Sequence, residues 1–246
     1  MLPKRTLMGP GPSDVYPPVL EAMAQPCIGH LDPAFVEFMD GLNESLRKAF
    51  RTENLVTLPI SAPGSAGMEC AFVNLLEPGD KVVIAINGVF GGRMMENAKR
   101  CGAVPVPVEF EWGTPVDPGV VEETLKQHPD AKVLAFVHSE TSTGVRSDAE
   151  ALCALARKYD CLNIVDAVTT LGGIELEVDG WGVDAIYSGT QKCLSAPPGL
   201  SPVSFNDRAM ERVKARTTPV QSLFLDLNLL TGYWGPGAKR AYHHTA

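Results

Sequence analysis

Short runs that are apolar at nearly every position recur along this chain, and most are followed by a stretch with helical periodicity. They are LVTLPIS (55–61), KVVIAIN (81–87), AVPVPVEF (103–110), KVLAFVH (132–138), CLNIVDAV (161–168) and VDAIYS (183–188). A strand with one face in water alternates apolar and polar residues. Runs without alternation therefore require both faces of the sheet to be covered, as helices do in α/β proteins. Residues 68–77, 92–101, 118–127 and 148–159 are predicted to supply those helices. Ahead of the first run, Phe35, Phe38, Met39, Leu42, Leu46 and Phe50 recur at near-helical spacing, behind Asp32 as N-cap and Pro33 at the first helical position. The expected fold class is α/β, a layered domain with a largely parallel sheet. After SPVSFN (201–206) a helix is expected over 208–216, and 224–242 is aromatic-rich with no readable period.

A chain of 246 residues, 45% of them hydrophobic, can bury a substantial core. It carries 29 acidic against 21 basic residues, a net charge of −8, and has no basic run with interleaved aromatics. That argues against nucleic acid or an anionic membrane as partner and favours a small molecule. No run reaches the roughly 18 apolar residues of a membrane span, and MLPKRTLMGPGPS lacks the apolar core of a secretory signal. The cysteines at 27, 70, 101, 153, 161 and 193 contain no C-x-x-C pair for zinc or dithiol chemistry, and several lie in apolar runs as reduced core residues would. A cytoplasmic or organelle-matrix enzyme is expected.

In parallel sheets covered by helices, ligands bind where loops gather at the carboxyl ends of the strands. After the first run, Pro63, Gly64, Ser65 and Ala66 open a helix whose leading amides suit a phosphate. After the second, NGVFGGR places Phe90 on a glycine-flanked loop, a flat face for a ring. HSETSTG then brings His138, Glu140, Thr141, Ser142 and Thr143 together. Asp166 ends a very apolar run, where a carboxyl is costly to bury unless a cation or donor meets it. Lys192 follows the last run on a small, tightly turning segment. Taken singly, each has an ordinary structural explanation: a tight turn, a core aromatic, a polar turn, a cap, a solvated lysine. In this order they are the parts needed to hold pyridoxal 5′-phosphate, namely a phosphate cradle, a stacking ring, a carboxylate for the pyridine nitrogen and an amine for the aldehyde.

GPGPS (9–13), NGVFGGR (87–93), HSETSTG (138–144), VDAVTTLGG (165–173), SGTQKCLSAPPG (188–199) and YHHT (242–245) strongly resemble the alanine–glyoxylate and serine–glyoxylate (serine–pyruvate) aminotransferases, in the class V group of fold type I enzymes. The resemblance covers essentially the whole chain. It implies a fold type I large domain, with a mainly parallel sheet of the seven-stranded type sandwiched by helices. Residues 1–20 would form an N-terminal arm and 21–246 the large domain, with a smaller C-terminal domain, absent from this chain, supplying the arginine that grips the substrate carboxylate.

Carried over by residue, the resemblance makes Lys192 the Schiff-base lysine and Asp166 the partner of the pyridine nitrogen, the catalytic pair. Phe90 takes the ring-stacking position, Val168 packs on the other face, and Thr141 sits at the ring's 3′ oxygen region. Gly64, Ser65 and Gln191 match phosphate contacts, and Tyr242 and Thr245 match phosphate contacts donated by the neighbouring subunit of a homodimer. Phe224, Tyr233 and Trp234, just before Tyr242, read as exposed aromatics suited to that interface. The segment Gly9 to Gly11 lies near the substrate, and no metal is implied.

The implied reaction is ping-pong transfer of the amino group of L-alanine or L-serine to glyoxylate, with small amino acids and 2-oxo acids as substrates. The ureidoglycine–glyoxylate branch is an alternative, since EWGTPVD (111–117) and GTQKCLS (189–195) resemble it, but it tends to carry asparagine where this chain has Tyr242. Cysteine desulfurases resemble this layout with histidine before the lysine and histidine on the ring, where this chain has Gln191 and Phe90. A non-catalytic remnant that merely binds the cofactor would have no need of the complete set of lysine, aspartate and stacking ring.

Overall fold

The computed structural model describes residue 3, residues 5–235, and residues 238 and 240. In chain order the elements are α1 (Pro17–Met23), α2 (Pro33–Phe50), β1 (Val56–Ile60), α3 (Gly64–Leu75), β2 (Lys81–Ile86), α4 (Val89–Arg100), β3 (Val104–Glu109), α5 (Pro118–Gln127) and β4 (Ala131–Val137). They continue with β5 (Ser139–Glu140), β6 (Val145–Arg146), α6 (Ala149–Lys158), β7 (Leu162–Asp166), β8 (Ala185–Tyr187), β9 (Ser201–Phe205), α7 (Asp207–Lys214) and α8 (Leu227–Trp234). Seven strands form one sheet in the order β1-β9-β8-β7-β4-β2-β3, and β5 pairs with β6 in a separate hairpin. In the large sheet β9 pairs antiparallel with β1 and β8, and every other adjacent pair is parallel. The carboxyl ends of β1, β2, β4, β7 and β8 therefore emerge on one side, which gathers the loops singled out in the sequence.

Both faces of this sheet are buried, which explains the unalternating runs. Val82, Ile84 and Ile86 face one cluster with Phe72, Met94, Val213 and Leu230 from α3, α4, α7 and α8. Val83 and Ala85 face the other, with Val121 and Leu125 of α5 and Leu152 and Cys153 of α6. The VPVPVE strand β3 sits at the sheet edge and pairs with β2 alone. There Pro105 and Pro107 are tolerated because one side of an edge strand makes no ladder hydrogen bonds.

Helix α2 follows the sequence reading: Pro33 is its first residue and the Asp32 carboxylate accepts from the N–H of Ala34. Helices α3 and α4 begin earlier than their periodicity predicts, at Gly64 and Val89. Phe90 consequently stands in the first turn of α4 rather than on a loop. The cause is a cap supplied from the β5 hairpin: Glu140 accepts from the N–H groups of Phe90 and Gly91, and Ser142 Oγ from that of Val89. The aromatic segment reads differently as well. Tyr233 and Trp234, expected on the surface, lie in α8 at 0% and 2% exposure, whereas Phe224 is 45% exposed. An amphipathic last helix buries them against the core. No described helix is long and apolar enough to cross a membrane.

One buried carboxylate ties the far end of this layer together. Glu77, just past α3, accepts at Oε1 from the backbone N–H groups and hydroxyls of Thr217 and Thr218, at 2.8 to 3.0 Å. Burial alone would raise its carboxyl, but the hydrogen bonds from Thr218 and Thr217 overcome this and bring it down to about 2. A depressed pKa means stability that is complete above the unfolded value near 4.5 and is lost as pH falls towards about 2. Glu77→Gln is expected to destabilise the chain at neutral pH by about 1 to 3 kcal/mol. It should also flatten the acid limb of urea-melt stability plotted against pH; an unchanged limb would show that the contact contributes nothing.

Candidate active site

Asp166 ends β7 and Tyr187 ends β8, directly opposite each other in the parallel register. Both side chains are buried, and Tyr187 donates its hydroxyl to Asp166 Oδ2 at 2.9 Å. The other oxygen, Oδ1, accepts the N–H of Val168 at 2.8 Å. Burial pushes the Asp166 carboxyl up; the hydrogen bonds from Val168 and Tyr187 pull it back, Glu140 raises it and Lys192 lowers it, leaving it at about 6. At neutral pH this is a buried, mostly ionised carboxylate.

Lys192 is placed by a turn and an arm. The N–H of Ser195 bonds the Lys192 carbonyl and that of Ala196 bonds the Thr190 carbonyl, folding 190–196 into a compact turn. Across it lies the N-terminal segment: Ser13 donates its N–H to the Gln191 carbonyl at 2.9 Å and its hydroxyl to the Lys192 carbonyl at 2.7 Å. Lys192 Nζ donates to the Pro10 carbonyl at 2.9 Å. Gly11 has φ +125°, and a Cβ there would stand 2.4 Å from Lys192 Cδ, so the arm approaches this closely because residue 11 has no side chain. Burial lowers the lysine's pKa, and Asp166 opposes the shift. A cavity of about 380 Å³ opens here, with Gly9, Gly11, Thr141, Thr169, Lys192 and Cys193 on its walls.

The β5–β6 hairpin builds the remaining wall. Thr169 Oγ1 donates to the Ser139 carbonyl at 2.8 Å, and Thr141 Oγ1 lies 3.4 Å from Thr169 Oγ1. Glu140 is fully buried and also accepts from the N–H and hydroxyl of Ser142. Through it the hairpin grips the start of α4 and fixes Phe90, whose ring carries the Arg93 guanidinium 4.8 Å from its centroid. Gly88 permits the approach, since a Cβ there would sit 2.3 Å from Glu140 Cγ.

The start of α3 lies against the same floor. A Cβ on Gly64 would meet Val168 Cγ2 at 3.1 Å and the Ser188 carbonyl at 3.3 Å. This helix has no side-chain cap; the Ala66 N–H bonds the Pro63 carbonyl, and the N–H groups of Gly64 and Ser65 are left for an anion, with Ser65 on the exposed first turn. The Gln191 side chain has a buried Oε1 with no hydrogen-bond partner. A helix start without a side-chain cap, a buried carboxylate and an amine suit a ligand that carries a phosphate, a basic ring nitrogen and an aldehyde. Pyridoxal 5′-phosphate is such a ligand, and the residues fit it.

Gly9, Gly11, Thr141 and Lys192 thus share one cavity, Asp166 and Val168 lie at the strand end beside it, Gly64 touches Val168, and Phe90 joins through Glu140. Tyr242 and Thr245 lie outside the described residues. Sequence reasoning gave no role to Tyr187, Ser13 or Glu140. The signal for Tyr187 was a phenol ending an apolar run next to the run that ends in Asp166. Among the described residues no group of His, Cys, Asp and Glu is arranged to hold a metal.

The profile of the family described as Aminotransferase class-V matches residues 15–222. The alanine–glyoxylate aminotransferase of Drosophila melanogaster is 42% identical over 246 residues, covering 99% of this chain and 62% of that protein. The crystal structure of an alanine–glyoxylate aminotransferase from Nostoc sp. superposes with a TM-score of 0.97 at 43% identity, over 100% of this chain and 64% of that one. The ureidoglycine–glyoxylate aminotransferase of Bacillus subtilis does so at 0.96 and 41% identity, over 100% of this chain and 63% of that one. This chain spans about 62% of the length of the curated relatives it matches.

Proposed function

Because this chain belongs to the class V aminotransferases, we propose that it is the pyridoxal 5′-phosphate-binding part of a transaminase that moves the amino group of L-alanine or L-serine to glyoxylate by a ping-pong mechanism. The observation that carries this reading is the Lys192 amine facing a cavity near the buried Asp166 carboxylate and the start of α3. When bound, the cofactor supplies an aldehyde and an electron-accepting pyridinium ring.

The protein does the rest. Lys192 Nζ would tether the cofactor through its aldehyde and, as a free amine, would move the substrate's α-proton; its lowered pKa favours the neutral amine that this needs. Asp166 holds the proton on the ring nitrogen by charge. Phe90 and Val168 would cover the two faces of the ring, and Thr141 would hold its 3′ oxygen. The leading residues of α3, Gly64 and Ser65, bind the phosphate together with Gln191. Tyr242 and Thr245 complete that site from a second copy in a homodimer. Gly9 and Gly11 border the substrate side of the cavity.

Residues 1–20 act as an arm and 21–246 as the large domain, and the substrate carboxylate is gripped by an arginine of a smaller domain. The homodimer is supported by α1, which buries none of its residues, and by the exposure of Tyr16, Leu20, Met23 and Ile28 around it. A cytoplasmic setting is supported by six free cysteines, four of them buried in the core.

The relatives named above share glyoxylate and differ in donor. The acceptor is therefore better supported than the donor, and (S)-ureidoglycine is the second reading. Initial rates of the full-length protein with glyoxylate and each donor decide between them. L-alanine or L-serine is expected to give parallel double-reciprocal lines; a preference for ureidoglycine would move the assignment to that branch, and intersecting lines would remove the ping-pong order.

A further inference from the structure

The Asp166 carboxylate has two partners, one local and one from the neighbouring strand. One is the N–H of Val168; the other is the hydroxyl of Tyr187, delivered from the neighbouring strand at a register-matched position. On the reading above, on which this inference rests, Asp166 must be charged and correctly turned when the ring nitrogen arrives. We propose that Tyr187 is a positioning residue, whose hydroxyl fixes the rotation of the Asp166 carboxylate and keeps it charged.

Rotation of a carboxylate about its last torsion is broad, so a single hydrogen bond leaves it free to pivot. Bonds to Oδ1 and Oδ2 from two different segments remove that freedom. Charge is the second effect. Tyr187 is 0% exposed and Asp166 2% exposed, and a buried carboxylate is costly to ionise unless donors compensate. Two charged groups act on it: Glu140 of β5 opposes ionisation, and Lys192 after β8 favours it. Tyr187 itself stays protonated, because burial and the adjacent carboxylate push its pKa far up, so it donates and does not compete for charge. Phenylalanine fills the same space without the donor.

The test uses the full chain without cofactor and then with added pyridoxal 5′-phosphate. In the first arm, the ¹³Cγ resonance of Asp166 is titrated with pH. Tyr187→Phe is expected to raise its midpoint by about one pH unit, the worth of one hydrogen bond to a charged group. In the second arm, cofactor dissociation constants are measured for wild type, Tyr187→Phe, Asp166→Asn and the double variant. Tyr187→Phe is expected to weaken binding about tenfold in the wild-type background and less than about twofold beside Asp166→Asn. A merely structural tyrosine would cost the same in both backgrounds, and that result, or an unmoved midpoint, overturns the proposal. Should Tyr187→Phe not fold, 3-fluorotyrosine incorporation keeps the shape and strengthens the donor. It must then lower the Asp166 midpoint, and no shift is equally fatal. If the wild-type chain binds no cofactor, the functional reading fails, while the cofactor-free titration still decides whether Tyr187 controls Asp166.

Discussion

Lys192→Ala should abolish transamination in the full-length protein while leaving the chain folded and still able to take up some cofactor. Loss of a positioned proton carrier alone typically lowers rate by about two to four powers of ten, and the covalent tether goes with it. The surroundings tolerate the change. The arm is held to this turn chiefly through backbone groups, with Ser13 bonded to the carbonyls of residues 191 and 192, and these survive when the side chain is shortened. What disappears is the Nζ contact to the Pro10 carbonyl. Stopped-flow turnover with alanine and glyoxylate measures the loss, and cofactor uptake by fluorescence measures retention. A variant keeping more than about a tenth of wild-type turnover would exclude Lys192 from the role.

Asp166→Asn should cost about two to three powers of ten in the half-reaction with alanine and have the opposite effect on the cofactor-free fold. Asparagine is nearly isosteric, and its side-chain oxygen can still accept from Val168 or Tyr187, but it has no charge to hold a proton on the ring nitrogen. The stability effect follows from linkage. Burial raises the Asp166 carboxyl from 3.8 to about 6, so between those values the folded chain binds more protons than the unfolded one. Stability of the cofactor-free wild type must therefore fall as pH rises through that window, and the variant should lack this slope. Urea melts from pH 4 to 7 read the slope directly. Equal slopes in both proteins, or an unchanged half-reaction rate, would contradict a buried ionised Asp166 acting on the cofactor.

Much of this protein is written in local sequence. The doubly covered sheet follows from apolar runs without alternation, and the starts of α2, α5 and α6 follow from Asp32, Asp117 and Asp148, whose carboxylates accept from amides two or three residues ahead. Periodicity and capping are short-range, so the chain carries them wherever it is placed. The positions of Gly64, Asp166 and Lys192 at the ends of separate runs were legible for the same reason: strand ends are local, and parallel strands bring their ends to one side.

Other features were decided by tertiary structure. Nothing local announces that β9 inserts antiparallel between β1 and β8, because strand order is set by which faces and edges pair after collapse. The early start of α4 depends on Glu140, some fifty residues further along the chain, so the helix pattern read from 92 onward missed the turn that carries Phe90. The burial of Tyr233 and Trp234 likewise required the core that α8 meets. The charge and orientation of Asp166 depend on Tyr187, a neighbour only through the β7–β8 register. A sequence can name a carboxylate at a strand end; whether it is ionised there depends on partners that local propensity does not encode, since burial and hydrogen bonding act on it at a few ångströms across separate strands.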